Sequence, residues 1–226
     1  MIKIERRECP ERLSRGEAWN DRNCKSELVK ALHEMQHGKC CYCERRIAEE
    51  GHDQAIEHFR PKSRPEFAHL ENDWSNLLHA CSCCNGKKAS KFPMDEQGNP
   101  LLLNPTDTYI DPEDHFDFTV DFEDVNFGRI YPRDNSVRAR ATIETIGLDR
   151  IALRRERTRD FIRLLDAYIH IRHAPDETTR KQKIEAFENM LLANNEHAAF
   201  ARAFARKKSL DRDFGVRIPE GAETSR

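Results

Sequence analysis

Two Cys-x-x-Cys pairs, Cys40 with Cys43 and Cys81 with Cys84, constrain the fold of this chain more than any other feature. A pair at that spacing lets both sulfurs reach one tetrahedral ion from a tight turn. Two such pairs fill the coordination sphere with four soft ligands, the pattern of a structural zinc site. Whatever lies between them must form a loop that the ion closes. Each cluster has one surplus thiol, Cys41 and Cys83, which lacks the two-residue spacing and reads as a bystander. Cys9 and Cys24 have no such partner and read as ordinary buried or surface cysteines. No apolar leader opens the sequence, so a reducing, cytoplasmic setting is expected, with zinc rather than disulfides at the thiols.

Inside the closed loop runs Ile56-Glu57-His58-Phe59-Arg60-Pro61-Lys62-Ser63, and Asn85, Lys87, Lys88 and Lys91 follow the second pair. These residue types suit hydrolysis of a phosphodiester. In-line attack needs a base for the water, a cation for the phosphate charge and help for the leaving oxygen. A histidine near its neutral form at cellular pH can take the proton, which nominates His58. Hard cations such as magnesium prefer oxygen ligands, which Glu57 and the Asn85 amide offer. Asn76 is placed to brace the loop that aims His58. Arg60, Lys62 and Arg64 flank the histidine, while Lys87, Lys88 and Lys91 follow the last ligand. Both groups read as contacts for nucleic-acid phosphates. Other residues have plainer readings. His33 and His37 have helical i, i+4 spacing but no third ligand, so they read as surface histidines. His79 is near enough to Cys81 to touch the site, His52 and His69 read as loop residues, and Trp74 as core.

In order, Cys40 and Cys43, Glu57-His58, Asn76-Leu77, Cys81 and Cys84, Asn85 and Lys88 resemble the zinc-clasped HNH endonuclease family. The resemblance implies a ββα-metal unit with His58 as general base. It also implies Glu57 and Asn85 as ligands of magnesium or manganese, and Asn76 as the central asparagine that orients the base. Glu57 stands where many members carry Asp, and its extra methylene sets the cation slightly further from the strand. Ile56 to Ser63, Trp74-Ser75-Asn76-Leu77-Leu78 and Cys81 to Asn85 are similar to PtuB, the HNH nuclease family of Septu-type anti-phage defence. Leu103-Asn104-Pro105 and Thr145-Ile146-Gly147-Leu148-Asp149 match its body less specifically. That family implies a companion PtuA-like ATPase. Some members act with retrons, which would add a reverse transcriptase and its msDNA as partners and make RNA, tRNA included, the target in place of DNA.

The expected fold class is α+β and mostly helical: a ββα-metal HNH unit clasped by a four-cysteine zinc site, a β-hairpin and a helical C-terminal region. Three segments follow from this, a helical lead-in over 1–38, the nuclease module over 39–94, and an acidic loop and hairpin followed by helices over 95–226. Leu28, Ala31, Leu32 and Met35 recur at helical spacing between Ser26 and His37, and Gly38 stops that helix. A strand is expected over 55–59 and a helix over 85–90. Phe116, Phe118, Val120 and Phe122 alternate with polar residues, which predicts a half-buried strand, returned by 127–131 after a turn near 124–126. Further helices are expected over 139–146, stopped by Gly147, then from an Asp149 cap to Arg172, from Asp176 to Asn194, and over 196–208. The tail from Pro219 has little reason to order.

The net charge of −2 hides segments of opposite sign. Residues 101–128 hold eight acids and no Lys or Arg, whereas residues 129–173 hold eleven Arg against six acids. The Arg-rich segment grips phosphates, docks on the acidic one, or is solvated surface. No apolar run approaches the ~20 residues that span a bilayer, and no Gly-rich phosphate loop supplies an ATP site. Three functions stay open: a metal-dependent endonuclease serving a defence ATPase, a zinc-clasped nucleic-acid-binding module without cutting activity, and a scaffold that regulates the ATPase. Glu57, His58 and Asn85 favour the first, because a pure binding module needs no general base inside its clasp.

Overall fold

The computed structural model of the chain describes residues 1–48, 53–120 and 127–223. A one-turn helix, α1 (Glu11–Ser14), leads into α2 (Arg22–Met35). The Asp21 carboxylate accepts from the Asn23 and Cys24 N–H groups, so α2 begins a turn before the expected Ser26. The apolar stripe marks only the buried face, Cys24, Leu28, Leu32 and Met35, whereas the cap sets the start. His37 and Gly38 then take positive φ, 54° and 67°, and turn the chain into the first thiol pair.

β1 (Ala55–His58) and β2 (Leu77–Ala80) pair antiparallel, with His58 opposite Leu77 and Glu57 opposite Leu78. α3 (Ser82–Lys88) follows at once and completes the ββα unit. It starts before the expected Asn85 because the second thiol pair caps it: Cys81 Sγ accepts from the Cys84 N–H at 3.4 Å. β3 (Phe116–Phe118) and β4 (Ile130–Pro132) form the second small antiparallel sheet. The Thr119 N–H to Arg129 O and Gly128 N–H to Thr119 O bonds carry that pairing toward the turn. Phe122 and the turn expected near 124–126 lie outside the described residues. Gly128 has φ +70°, and a Cβ there would meet the Arg154 carbonyl oxygen at 2.7 Å, so glycine is required.

α4 (Val137–Ile146) ends on Gly147 in the left-handed conformation. α5 (Ile151–Arg172) has Arg150 as its N-cap rather than Asp149. Asp149 instead pairs with Arg129 and Arg154 and accepts from the Ile130 N–H, because two guanidiniums lie within reach of its carboxylate. Asp176 caps α6 (Glu177–Met190), which ends short of Asn194. α7 (Ala198–Lys207) is followed by α8 (Leu210–Phe214), which no periodic pattern announced. The expectation of a loose tail fails as far as residue 223. The Arg217 N–H binds Glu188, Gly221 O accepts from Arg202, and the Ala193 N–H reaches Glu223 O.

The chain is therefore α+β and mostly helical, with two small antiparallel sheets among the described residues. Buried apolar side chains from the N-terminal residues, the ββα unit and the C-terminal helices form one cluster. The Arg-rich segment docks in part on the acidic one, with Arg133 3.2 Å from Asp117. Arg157 is buried and donates to the Gly128 and Leu148 carbonyls, so it grips no phosphate. Among the described residues no helix is long and apolar enough to cross a membrane.

Candidate functional site

Cys40, Cys43, Cys81 and Cys84 converge, all buried, with their sulfurs within 4.8 Å of one another. The Cys43 and Cys81 sulfurs are 3.9 Å apart. Zinc–sulfur bonds of ~2.3 Å in a tetrahedron separate the sulfurs by ~3.8 Å, so the cage fits that ion. Burial pushes the Cys40 thiol well above its usual range, and a cation would offset that cost. Arg150 places Nη1 3.5 Å from Cys84 Sγ, a cationic donor that sequence spacing did not reveal. The turn bearing the first pair is tied to the C-terminal helices. Lys39 Nζ donates to Asn195 O at 2.7 Å, the Ala199 N–H to Glu44 at 3.2 Å and the Arg46 N–H to Glu196 at 2.7 Å. Of the bystanders, Cys41 is buried and Cys83 exposed.

His58 ends β1 and is 8% exposed. Its Nε2 lies 2.9 Å from the Glu71 carbonyl oxygen. A carbonyl only accepts, so Nε2 carries the proton, and in the neutral ring Nδ1 is the free base. Burial lowers the His58 pKa, which favours that neutral ring. Asn76 staples the connection between β1 and β2. Its Oδ1 accepts from the Arg60 N–H at 2.8 Å, and its Nδ2 donates to Arg60 O at 3.0 Å and Leu70 O at 3.2 Å. That connection carries Glu71, so Asn76 holds the carbonyl that holds His58.

Trp19 is a further contact that sequence reasoning missed. Its ring meets His58 edge-on, with centroids 5.1 Å apart. Its Nε1 donates to the Glu71 carboxylate at 3.1 Å, and its backbone N–H to Asn72 Oδ1 at 2.9 Å. Lys62 closes the bracket, 2.6 Å from Glu71 and 4.4 Å from the Trp19 ring centre. A tryptophan in a polar stretch outside any apolar period was the one available signal.

Glu57 points to the opposite face of β1 from His58 and is 2% exposed. Its Oε1 accepts from Lys88 Nζ at 2.5 Å and from the Tyr42 hydroxyl at 3.2 Å. Burial raises the Glu57 pKa, and Lys88 opposes that rise. Lys88 also donates to His58 O at 2.8 Å and is 0% exposed. This corrects the expectation that Lys88 meets phosphate. It lies one turn after buried Cys84, and a buried carboxylate and ammonium within reach of each other pair rather than remain alone. Asn85 is half-buried three residues before Lys88, hence on the same face of α3. Among the described residues, the hydrogen bonds to Glu57 fall on Oε1. Its Oε2 and the Asn85 amide oxygen are oxygen donors of the kind that a hard divalent cation such as magnesium or manganese takes.

The other basic residues divide. Arg60, Lys87 and Lys91 are exposed, whereas Lys62 and Arg64 are half-buried and paired with Glu71 and Glu66. His79 is fully buried, with Nε2 3.2 Å from Gln54, and burial followed by the neighbouring His33 lowers its pKa to about 4. It therefore faces the interior and not a substrate. His33 and His37 are half-buried, with His33 Nε2 3.3 Å from Ile47 O. His69 lies in the 3-10 turn Pro65–Leu70, and His52 is outside the described residues. Trp74 is half-buried and donates to Arg7 O at 2.9 Å.

No protein-family model matches the chain. It is 43% identical over 76 residues to the Septu protein PtuB of Bacillus thuringiensis, covering 34% of this chain and 27% of that protein. It is 31% identical over 167 residues to the Septu protein PtuB of Bacillus mycoides strain KBAB4, covering 63% and 52%. A third relative is a retron Vc95 protein of Vibrio cholerae serotype O1 biovar El Tor, named as a candidate HNH endonuclease. It is 29% identical over 156 residues, covering 66% and 71%. The chain spans about a quarter and about half the lengths of the two Septu proteins it matches. By these relatives it resembles PtuB and an HNH nuclease.

Proposed function

We propose that the chain is a metal-dependent HNH endonuclease that hydrolyses phosphodiester bonds of nucleic acid. It would be the effector subunit of a Septu-type anti-phage complex with a PtuA-like ATPase. The observation that carries this reading is the 2.9 Å contact between His58 Nε2 and the Glu71 carbonyl oxygen, which fixes the neutral tautomer. The Nε2 proton is held by a backbone carbonyl inside a loop clasped by four thiols, and Nδ1 is left to accept a proton.

In this mechanism His58 Nδ1 takes the proton of the attacking water. The Glu71 carbonyl keeps the ring oriented and stabilises the charge that it acquires. Asn76 keeps the loop from drifting, so the base needs no reordering at the moment of attack. Glu57 Oε2 and Asn85 would hold magnesium or manganese, which when bound supplies positive charge to the phosphate and the leaving oxygen. Arg60, Lys87 and Lys91 would contact phosphates along the strand, with Lys62 and Arg64 available where their carboxylate partners yield. The products would carry 5′-phosphate and 3′-hydroxyl ends.

DNA is the first substrate proposed. The retron relative favours a second, a tRNA-cleaving effector working beside a reverse transcriptase and its msDNA. Purified wild-type and His58→Ala protein should be incubated with plasmid DNA and with total tRNA, in magnesium or manganese, alone and with the ATPase. Cutting by wild type and not by the variant supports the nuclease, and the preferred nucleic acid decides between the two substrates. A folded, zinc-loaded wild type that cuts neither under any condition replaces this reading with a binding or scaffolding subunit.

A further inference from the structure

A cleft of about 210 Å3 opens between α5 and the turn after the first thiol pair, lined in part by Arg45, Glu156, Asp160, Glu196 and His197. His197 precedes α7 in left-handed backbone, with φ 48°, and is 4% exposed. Its Nδ1 lies 2.6 Å from Asp160 Oδ2. A carboxylate only accepts, so Nδ1 carries a proton, and Nε2 on the other side of the ring is directed away from Asp160. That Nε2 is buried and has no hydrogen-bond partner among the described residues. Glu156 Oε2 is in the same state, and the two atoms face each other at 3.7 Å. Buried acceptors are rarely left unmet, and two that converge call for an occupant between them.

We propose that this occupant is a divalent cation of the zinc class, bound by His197 Nε2 and Glu156 Oε2. Ligating histidines are commonly oriented by a carboxylate on their second nitrogen, and Asp160 is placed to be that carboxylate. Two ligand atoms 3.7 Å apart can bracket one ion at ~2.1 Å from each. Imidazole with carboxylate is a borderline donor set that suits zinc better than magnesium. Water from the cleft would complete the shell. The rival is a protonated His197 ion-paired with both acids, at 2.6 Å to Asp160 and 3.7 Å to Glu156; it leaves Nε2 without a hydrogen bond and binds no metal. Three arginines, Arg45, Arg159 and Arg163, also line the cleft, balanced by Glu156, Asp160 and Glu196. Arg45 is paired with Asp53 at 2.6 Å and has Glu156 within electrostatic reach, and Arg163 lies 3.6 Å from Asp160. The site shares no ligand with the thiol cage or with the His58 site.

The test is equilibrium dialysis of the full chain against zinc, with bound metal counted by mass spectrometry before and after a brief chelator wash. Wild type should hold one zinc that survives the wash and one that does not. Glu156→Gln and His197→Ala should hold only the resistant ion. Asp160→Asn should bind the exchangeable ion about 10–100-fold more weakly. Glu156→Gln preserves side-chain shape on a partly exposed helix face, so it reports on binding even where the histidine variant does not fold. A wild type with no exchangeable zinc overturns the proposal. So does a Glu156→Gln protein that binds the second ion with wild-type affinity.

Discussion

His58 is bound through Nε2 to a carbonyl, and burial holds its pKa below the ordinary histidine value. A base with a lowered pKa stays neutral to lower pH. Cleavage should therefore stay level near neutrality and fall only below pH ~6.5. An acid limb centred above that value in the pH–rate profile would contradict the assignment. Asn76→Ala removes three partly buried hydrogen bonds and should lower stability by about 1–3 kcal/mol in urea unfolding, with a parallel loss of cutting. Trp19→Ala should lower kcat while leaving KM near wild type, and Trp19→Phe should recover most of the loss because the edge contact survives. Equal loss in both Trp19 variants would show that the Nε1 bond to Glu71 matters more than the ring. His58 could be nominated from the sequence because its residue type and its place between the thiol pairs carry chemical meaning. Glu71 acts through a backbone carbonyl that any residue supplies, and Trp19 comes from a segment far upstream, so neither left a mark in local spacing.

At the scale of elements, α3 separates lysines that look alike in sequence. Lys88 is buried against Glu57, and Lys88→Ala would leave that carboxylate without its cation, a loss of about 3–5 kcal/mol measurable by chemical unfolding. Lys87→Ala and Lys91→Ala should change stability by less than about 0.5 kcal/mol. Each should instead weaken nucleic-acid binding and reduce the salt slope by about 1. Wild-type salt dependence in both variants would remove these residues from the interface. The burial of Lys88 could have been read from its i+4 spacing to Cys84, since a ligand thiol marks the inward face. Helix starts were less legible. Asp21 and Cys81 cap from outside the apolar pattern, while Asp149, a good cap by type, is drawn off by Arg129 and Arg154.

Across the whole molecule, the thiol cage, the His58 bracket and the C-terminal helices are joined by polar ties as well as by one apolar cluster. Arg202 is fully buried between Glu113, the Leu191 carbonyl and the Gly221 carbonyl, and Arg206 shares the same carboxylate. These long-range ties were invisible in the sequence, where Glu113 was one acid in an acidic run. The proposed function rests on a division of labour, in which four thiols hold the fold while His58 performs the chemistry. Zinc content, melting temperature and nucleic-acid cleavage, measured together for wild type, His58→Ala and Cys43→Ser, separate the two roles. His58→Ala should keep its zinc and its melting temperature but cut nothing, while Cys43→Ser should lose zinc and unfold early. Cleavage by His58→Ala at the wild-type rate, or the same misfolding in both variants, would show that the roles are not divided in this way.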